Sequence, residues 1–296
     1  MRSFDYQAPT TLAEAVAILA ACGQRASALA GGTDLLVQMR HGVLAPDLLV
    51  DLKRIAELGE ISFSPAAGLR IGAAVPLCRV CAHPALAAHY PGLLDAVSLI
   101  GGAAIQGRAT LGGNICNAAP SADALPALMV LMAVCVVVGP QGSRSVPVSE
   151  FCTSPRRTVL DRGELLVSIH LPPPLANSGD CYLRFAVRAE MDIAVAGVAA
   201  WLGLSDDRAT VADARIALGG VGPTPLPAEA AGRWLVGRAP TGEALAEAAA
   251  LAREAARPVS DVRGTAAQRR HLVGVLARRA LQGALYRAQG DEADGR

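Results

Sequence analysis

The hydrophobic positions change their spacing twice along the chain, dividing it into three textures. In the first, Leu12, Val16, Leu19 and Ala20 recur at helical spacing. They follow a Thr11-x-x-Glu14 capping box and precede Gly23, a helix stop. Short apolar runs at 4–6, 27–30 and 48–52 read as strands, and 35–40 as the first turns of another helix. This strand–helix–strand alternation predicts a small α/β unit over about the first 55 residues. From Ile61 the runs at 69–72, 134–138, 145–148 and 165–171 read as strands, and 91–100 and 120–131 as helices. Residues 101–117 are too rich in glycine and small side chains to be regular throughout. The run Pro172-Pro173-Pro174, followed by Asn177-Ser178-Gly179, reads as a linker. Beyond it, 182–187, 193–204 and 214–218 predict an antiparallel sheet, and 227–236, 241–256 and 265–288 amphipathic helices. The fold class is α+β. A first domain spans 1–175, with subdomains at about 1–55 and 56–175, and a C-terminal domain of sheet plus helices spans 180–290.

Charge and composition remove several function classes. The 27 basic and 26 acidic residues leave a net charge of +1, so the basic stripe of a nucleic-acid binder is missing. A hydrophobic content of 52% excludes intrinsic disorder and suggests a surface covered by a partner. Seven cysteines without rhythm read as free thiols of a reducing compartment rather than a secreted disulfide framework. The start of the sequence has no apolar run behind a basic residue, so no secretory signal is read and a cytoplasmic location is expected. The most apolar stretch, 125–138, contains Pro126 and is shorter than the ~20 residues of a membrane span. Lys53 is the single lysine of the sequence.

Two glycine pairs carry the chemistry. In Ala30-Gly31-Gly32-Thr33-Asp34-Leu35 a strand runs into a helix. Glycines there let the backbone turn sharply and converge its N–H groups, and the helix start adds positive potential, a setting suited to a phosphate or pyrophosphate. Thr33 could donate to a phosphate oxygen or cap the helix, and Asp34 is expected to cap. Thr110-Leu111-Gly112-Gly113-Asn114-Ile115-Cys116-Asn117 repeats the arrangement. Asn114 and Asn117 offer both donors and acceptors. Asp123, further on, could cap a helix or accept from sugar hydroxyls. Each segment alone also fits a plain structural turn; two in one chain point to a dinucleotide cofactor. No P-loop, GxGxxG fingerprint, paired-histidine zinc helix or GxSxG elbow is present. Cys78-x-x-Cys81 has no second pair and reads as ordinary thiols. His170, Arg156-Arg157 and Arg269-Arg270 read as surface groups, with a subunit contact also open for Arg156-Arg157.

Taken in order, these motifs resemble the FAD-binding (medium) subunit of the molybdenum hydroxylases, which include aerobic carbon monoxide dehydrogenase and the flavin domain of xanthine dehydrogenase. The resemblance runs from Phe4-Asp5-Tyr6 and the Ala30-Gly31-Gly32 segment through Leu49-Val50-Asp51-Leu52, Ile71-Gly72-Ala73 and Thr110-Leu111-Gly112-Gly113-Asn114. It continues in Gly163-Glu164-Leu165-Leu166, Asp192-Ile193-Ala194, 258–264 and Arg278-Arg279-Ala280. It implies a two-subdomain, PCMH-type FAD-binding domain followed by the C-terminal domain. It also implies that Leu29, Ala30, Gly31, Gly32, Thr33, Asp34 and Leu35, with Thr110, Gly112, Gly113, Asn114, Cys116 and Asn117, line FAD. Asp123 would bind polar groups of the cofactor, Leu166 would contact the flavin, and Ile193 would lie against the isoalloxazine ring. Arg184 falls where many members carry lysine. No catalytic residue, metal ligand or iron–sulfur cluster is expected in this chain. The implied partners are a molybdenum cofactor-binding large subunit and a [2Fe-2S] small subunit, arranged as a dimer of heterotrimers, with electrons leaving to an external acceptor. The rival readings are a self-standing flavin reductase and a flavin-free assembly subunit.

Overall fold

In the computed structural model, which describes residues 2–189 and 191–290, the first helix starts as its sequence predicts. The Thr11 hydroxyl accepts the Glu14 N–H at 3.2 Å, and the Glu14 carboxylate accepts the N–H of Thr10, one residue before the capping position, at 3.2 Å. The opening unit runs β1 (Asp5–Gln7), α1 (Leu12–Cys22), β2 (Ala26–Leu29), α2 (Leu35–Arg40) and β3 (Leu48–Asp51). β3 lies between β1 and β2 and pairs with both in parallel. All four residues of β3 are buried, which explains the apolar run Leu48-Leu49-Val50; its last residue, Asp51, is buried as well.

The second unit holds β4 (Ile61–Ser64), β5 (Gly68–Gly72), α3 (Leu77–Cys81), α4 (Pro84–His89), α5 (Pro91–Ser98), α6 (Ala103–Gln106), α7 (Leu111–Cys116) and α8 (Ala124–Val130). It continues with β6 (Val134–Gly139), β7 (Gly142–Pro147), α9 (Val148–Phe151), the small hairpin β8 (Cys152–Ser154) and β9 (Arg157–Thr158), and β10 (Leu165–Leu171). Its main sheet has the order β4-β5-β10-β6-β7, antiparallel throughout. Two expectations shift here. The glycine-rich stretch contains two short helices, and the second glycine pair lies inside one of them, α7. The helix expected over 120–131 begins only at Ala124.

The third unit comprises β11 (Ser178–Phe185), β12 (Ala196–Leu204), β13 (Val211–Gly219) and β14 (Leu226–Pro227), then α10 (Glu229–Leu235), α11 (Gly242–Ala255) and α12 (Ala266–Gln289). The sheet is antiparallel in chain order. Every residue of β12 is buried. Val198, Ala200 and Leu202 face the helices of this unit, whereas Ala199 and Trp201 join the core of the second unit. The sheet is therefore covered on both sides, and period-2 alternation is lost in its central strand. The strand expected from Ile193 starts at Ala196, and the one expected from Tyr182 starts four residues earlier, at Ser178.

Polar bonds fasten the third unit to α5. Gly92 N–H donates to the Asp180 carboxylate at 2.9 Å. Asp95 accepts from both Arg287 Nη atoms at 2.7 and 3.1 Å and from Tyr182 N–H at 3.2 Å.

Candidate functional site

A cleft of about 740 Å³ opens where the three units meet. Both glycine segments line it, together with the start of β10, Arg184 and residues 191–193. Of the residues singled out from the sequence, Ala30 to Leu35, Thr110, Gly112, Gly113, Asn114, Cys116, Asn117, Asp123, Leu166, Arg184 and Ile193 all reach it. Leu29 does not: its side chain is buried against Met39 and Leu49.

The four glycines play different parts. A Cβ on Gly31 would sit 2.0 Å from the carbonyl oxygen of Arg108, so Gly31 lets the first segment lie against the approach to the second. A Cβ on Gly112 would meet Ala73 O at 2.5 Å, which seats α7 on the end of β5. Gly32 has φ +77°, the left-handed turn that feeds α2. On Gly113 a Cβ would meet only the Thr110 hydroxyl, at 3.0 Å, and otherwise projects into open space.

Backbone donors converge at these turns. Thr110 caps α7, accepting the N–H of Gly113 at 2.9 Å. The N–H groups of Gly32, Thr33 and Asp34 meet no acceptor among the described residues. Asp34 stands at the N-cap position of α2, but its side chain makes no capping bond, contrary to expectation. Desolvation pushes its carboxyl upward while the nearby Arg156 charge pulls it down. Gln38, which the sequence did not single out, bridges the two segments by donating to Asn117 Oδ1 at 3.3 Å. Below the first segment, Lys53 Nζ donates to Asp51 at 2.6 Å and to Ala30 O at 3.3 Å, and the Tyr6 hydroxyl donates to the other Asp51 oxygen.

Asp123 does not cap α8. Tyr182 Oη donates to one of its oxygens and Arg184 Nη1 to the other, each at 2.7 Å. Burial pushes Asp123 up, opposed by Arg184 and Tyr182. Glu164 accepts from Arg144 at 2.7 and 2.6 Å, and this pairing holds it below the usual carboxylate range. No histidine lines the cleft; His170 is exposed on β10, bonded to Ser168. Cys78 is exposed and Cys81 half-buried, both on α3. Arg156, read from the sequence as a surface charge, lies on the cleft wall.

The lining fits a flavin dinucleotide. Asn114 Oδ1 is buried with no partner among the described residues, an acceptor suited to a donor from a bound ligand. Free N–H groups suit a pyrophosphate, and Leu165, Leu166 and Ile193 give apolar contact for a ring system.

Residues 2–174 match the family described as FAD binding domain in molybdopterin dehydrogenase, and residues 181–284 match the CO dehydrogenase flavoprotein C-terminal domain. The carbon monoxide dehydrogenase medium chain of Afipia carboxidovorans is 37% identical over 97% of this chain and 98% of its own length. The putative xanthine dehydrogenase FAD-binding subunit XdhB of Escherichia coli is 37% identical over 75% of each chain. Among solved structures, reconstituted CO dehydrogenase from Oligotropha carboxidovorans superposes with a TM-score of 0.92 at 35% identity, over 97% of this chain and 99% of that one. The chain belongs to the family of FAD-binding subunits of molybdopterin-dependent dehydrogenases. It is an oxidoreductase subunit whose cofactor is FAD.

Proposed function

We propose that this chain is the electron-transfer subunit of a molybdenum hydroxylase complex, receiving electrons from [2Fe-2S] clusters of a small subunit and passing them to an external acceptor. The observation that carries this reading is the cleft: two glycine segments, the first with free N–H donors, a buried Asn114 Oδ1 without a partner among the described residues and an apolar floor, with no histidine and with most carboxylates already paired. Such a site is built to bind and orient a cofactor, with the redox chemistry left to it. FAD, when bound, supplies the redox chemistry. Around it, residues 30–35 and Thr110, Gly112, Gly113, Asn114, Cys116 and Asn117 would hold the dinucleotide. Leu166 and Ile193 would contact the ring, and Asp123 would act with Arg184 at the polar edge. Asp123 and Arg184 neutralise each other, so together they present hydrogen-bonding capacity without net charge.

The medium chains and FAD subunits among the relatives support a place in a larger assembly. A molybdenum-bearing large subunit, a dimer of heterotrimers and a cytoplasmic location complete the proposal. Among the described residues no helix is long and apolar enough to cross a membrane. Phe185, Val187, Met191 and Ile193 are exposed beside the cleft, a face that a partner would cover. The test is to purify the chain alone and co-expressed with candidate partners, then record absorption, mass and activity. The expected result is one FAD per chain, fully released by acid precipitation, and turnover only in the assembly. A colourless chain would support the assembly-subunit alternative. A lone chain with full turnover on an organic substrate would support a self-standing reductase.

A further inference from the structure

Two charged residues of the cleft stand outside its ion pairs. Among its ionisable lining residues Arg184 is tied to Asp123, Glu164 to Arg144, and Asp192 lies 3.6 Å from Arg188. Asp34 and Arg156 form no ion pair among the described residues, although Arg156 is close enough to lower the Asp34 carboxyl.

Arg156 occupies its place at a conformational cost. It sits at the apex of the β8–β9 hairpin with φ 61°, a left-handed conformation that favours glycine or asparagine over arginine. Its backbone N–H donates to Ala118 O at 3.0 Å, and Ala118 is itself left-handed at φ 46°. The apex is thereby fastened to the chain just beyond the second glycine segment. Its neighbour Arg157 is equally exposed but does not line the cleft.

We propose that the guanidinium of Arg156 completes the anion site of the cleft by pairing with the pyrophosphate of the dinucleotide seated on the free N–H groups of residues 32–34. The inference rests on the FAD reading above. Main-chain donors satisfy phosphate oxygens but carry no net charge, and Asp34 beside them adds a negative one. A fork of N–H donors on a permanently charged, planar group matches two phosphate oxygens.

The test titrates the full-length apo chain with FAD and, separately, with riboflavin, which has no phosphate. Arg156→Gly relieves the left-handed backbone, so the thermal midpoint of the apo variant does not fall below wild type. FAD affinity should nevertheless drop about 10- to 100-fold, the worth of a hydrogen bond to a charged group. Its salt dependence should weaken, while riboflavin affinity stays unchanged. Arg156→Lys should retain part of the FAD affinity, and Arg157→Ala all of it. Wild-type FAD affinity in Arg156→Gly, or equal losses for FAD and riboflavin, would overturn the proposal. A wild-type chain that binds neither flavin would instead strike the FAD reading, and the proposal with it.

Discussion

Gly31, Gly32, Gly112 and Gly113 look interchangeable as letters, yet each answers a different physical demand, and substitutions separate them. Gly31→Val would drive a side chain into the Arg108 carbonyl, 2.0 Å from where its Cβ must sit. The expected result is a loss of several kcal/mol, read as a collapse of the thermal midpoint whether or not flavin is present. Gly32→Val confronts a φ of +77° and should cost on the order of 1–3 kcal/mol before any ligand is considered. Gly113→Val is the informative variant, since its new side chain meets only the Thr110 hydroxyl before entering the cleft. It should keep a near-native circular dichroism spectrum and lose most of its bound flavin. Full flavin occupancy in this variant would mean that the second glycine pair serves only to seat α7.

At the scale of elements, β11 is the seam between the second and third units. Asp180 on this strand is 3% exposed and accepts the Gly92 N–H at the start of α5. Burial pushes its carboxyl from 3.8 up to about 7, with Asp95 adding to the rise and Arg287 opposing it. The folded chain thus prefers the neutral form. The stability this group contributes is complete below pH 3.8, declines as pH rises, and is lost once pH passes about 7. Asp180→Asn keeps an acceptor for Gly92 and removes the titration. The thermal midpoint of the variant relative to wild type should therefore climb between pH 4 and pH 8; a pH-independent difference would refute the burial account. Local pattern makes some elements legible: the bounds of β10 agree with its apolar run, and the first helical turns expected over 35–40 are the whole of α2. α7 is not legible, because paired glycines oppose helix and only the Thr110 cap and packing on Ala73 override that preference. α3 and α4 are too short to show a helical period, and β4 alternates apolar and polar positions over only four residues. Within the cleft, the main-chain donors were legible because glycine announces its backbone. The Asp123–Arg184 pair and Arg156 were not, because contacts between residues distant in sequence leave no local trace.

Across the whole molecule, two cores share one sheet, with Ala199 and Trp201 of β12 facing one and Val198, Ala200 and Leu202 the other. A partner that binds either side therefore acts on a single cooperative body, and the cleft between the units should keep its shape as the assembly forms. The first unit keeps a separate three-stranded sheet but joins the core of the second unit through Ala15, Val16, Leu19, Leu48 and Val50. Within this unit Lys53 sits below the first glycine segment, anchored to Asp51 and to Ala30 O. As the sequence contains no other lysine, an endoprotease that cuts only after lysine has a single bond to attack, and that bond severs the strands carrying the first anion loop from everything else. Cleavage requires the Lys53 anchor to open, so its rate reports how often the loop unfastens. Saturating FAD should slow this digestion severalfold, whereas riboflavin, lacking the pyrophosphate that ties the loop down, should slow it far less, turning one residue of the sequence into a clock for cofactor retention.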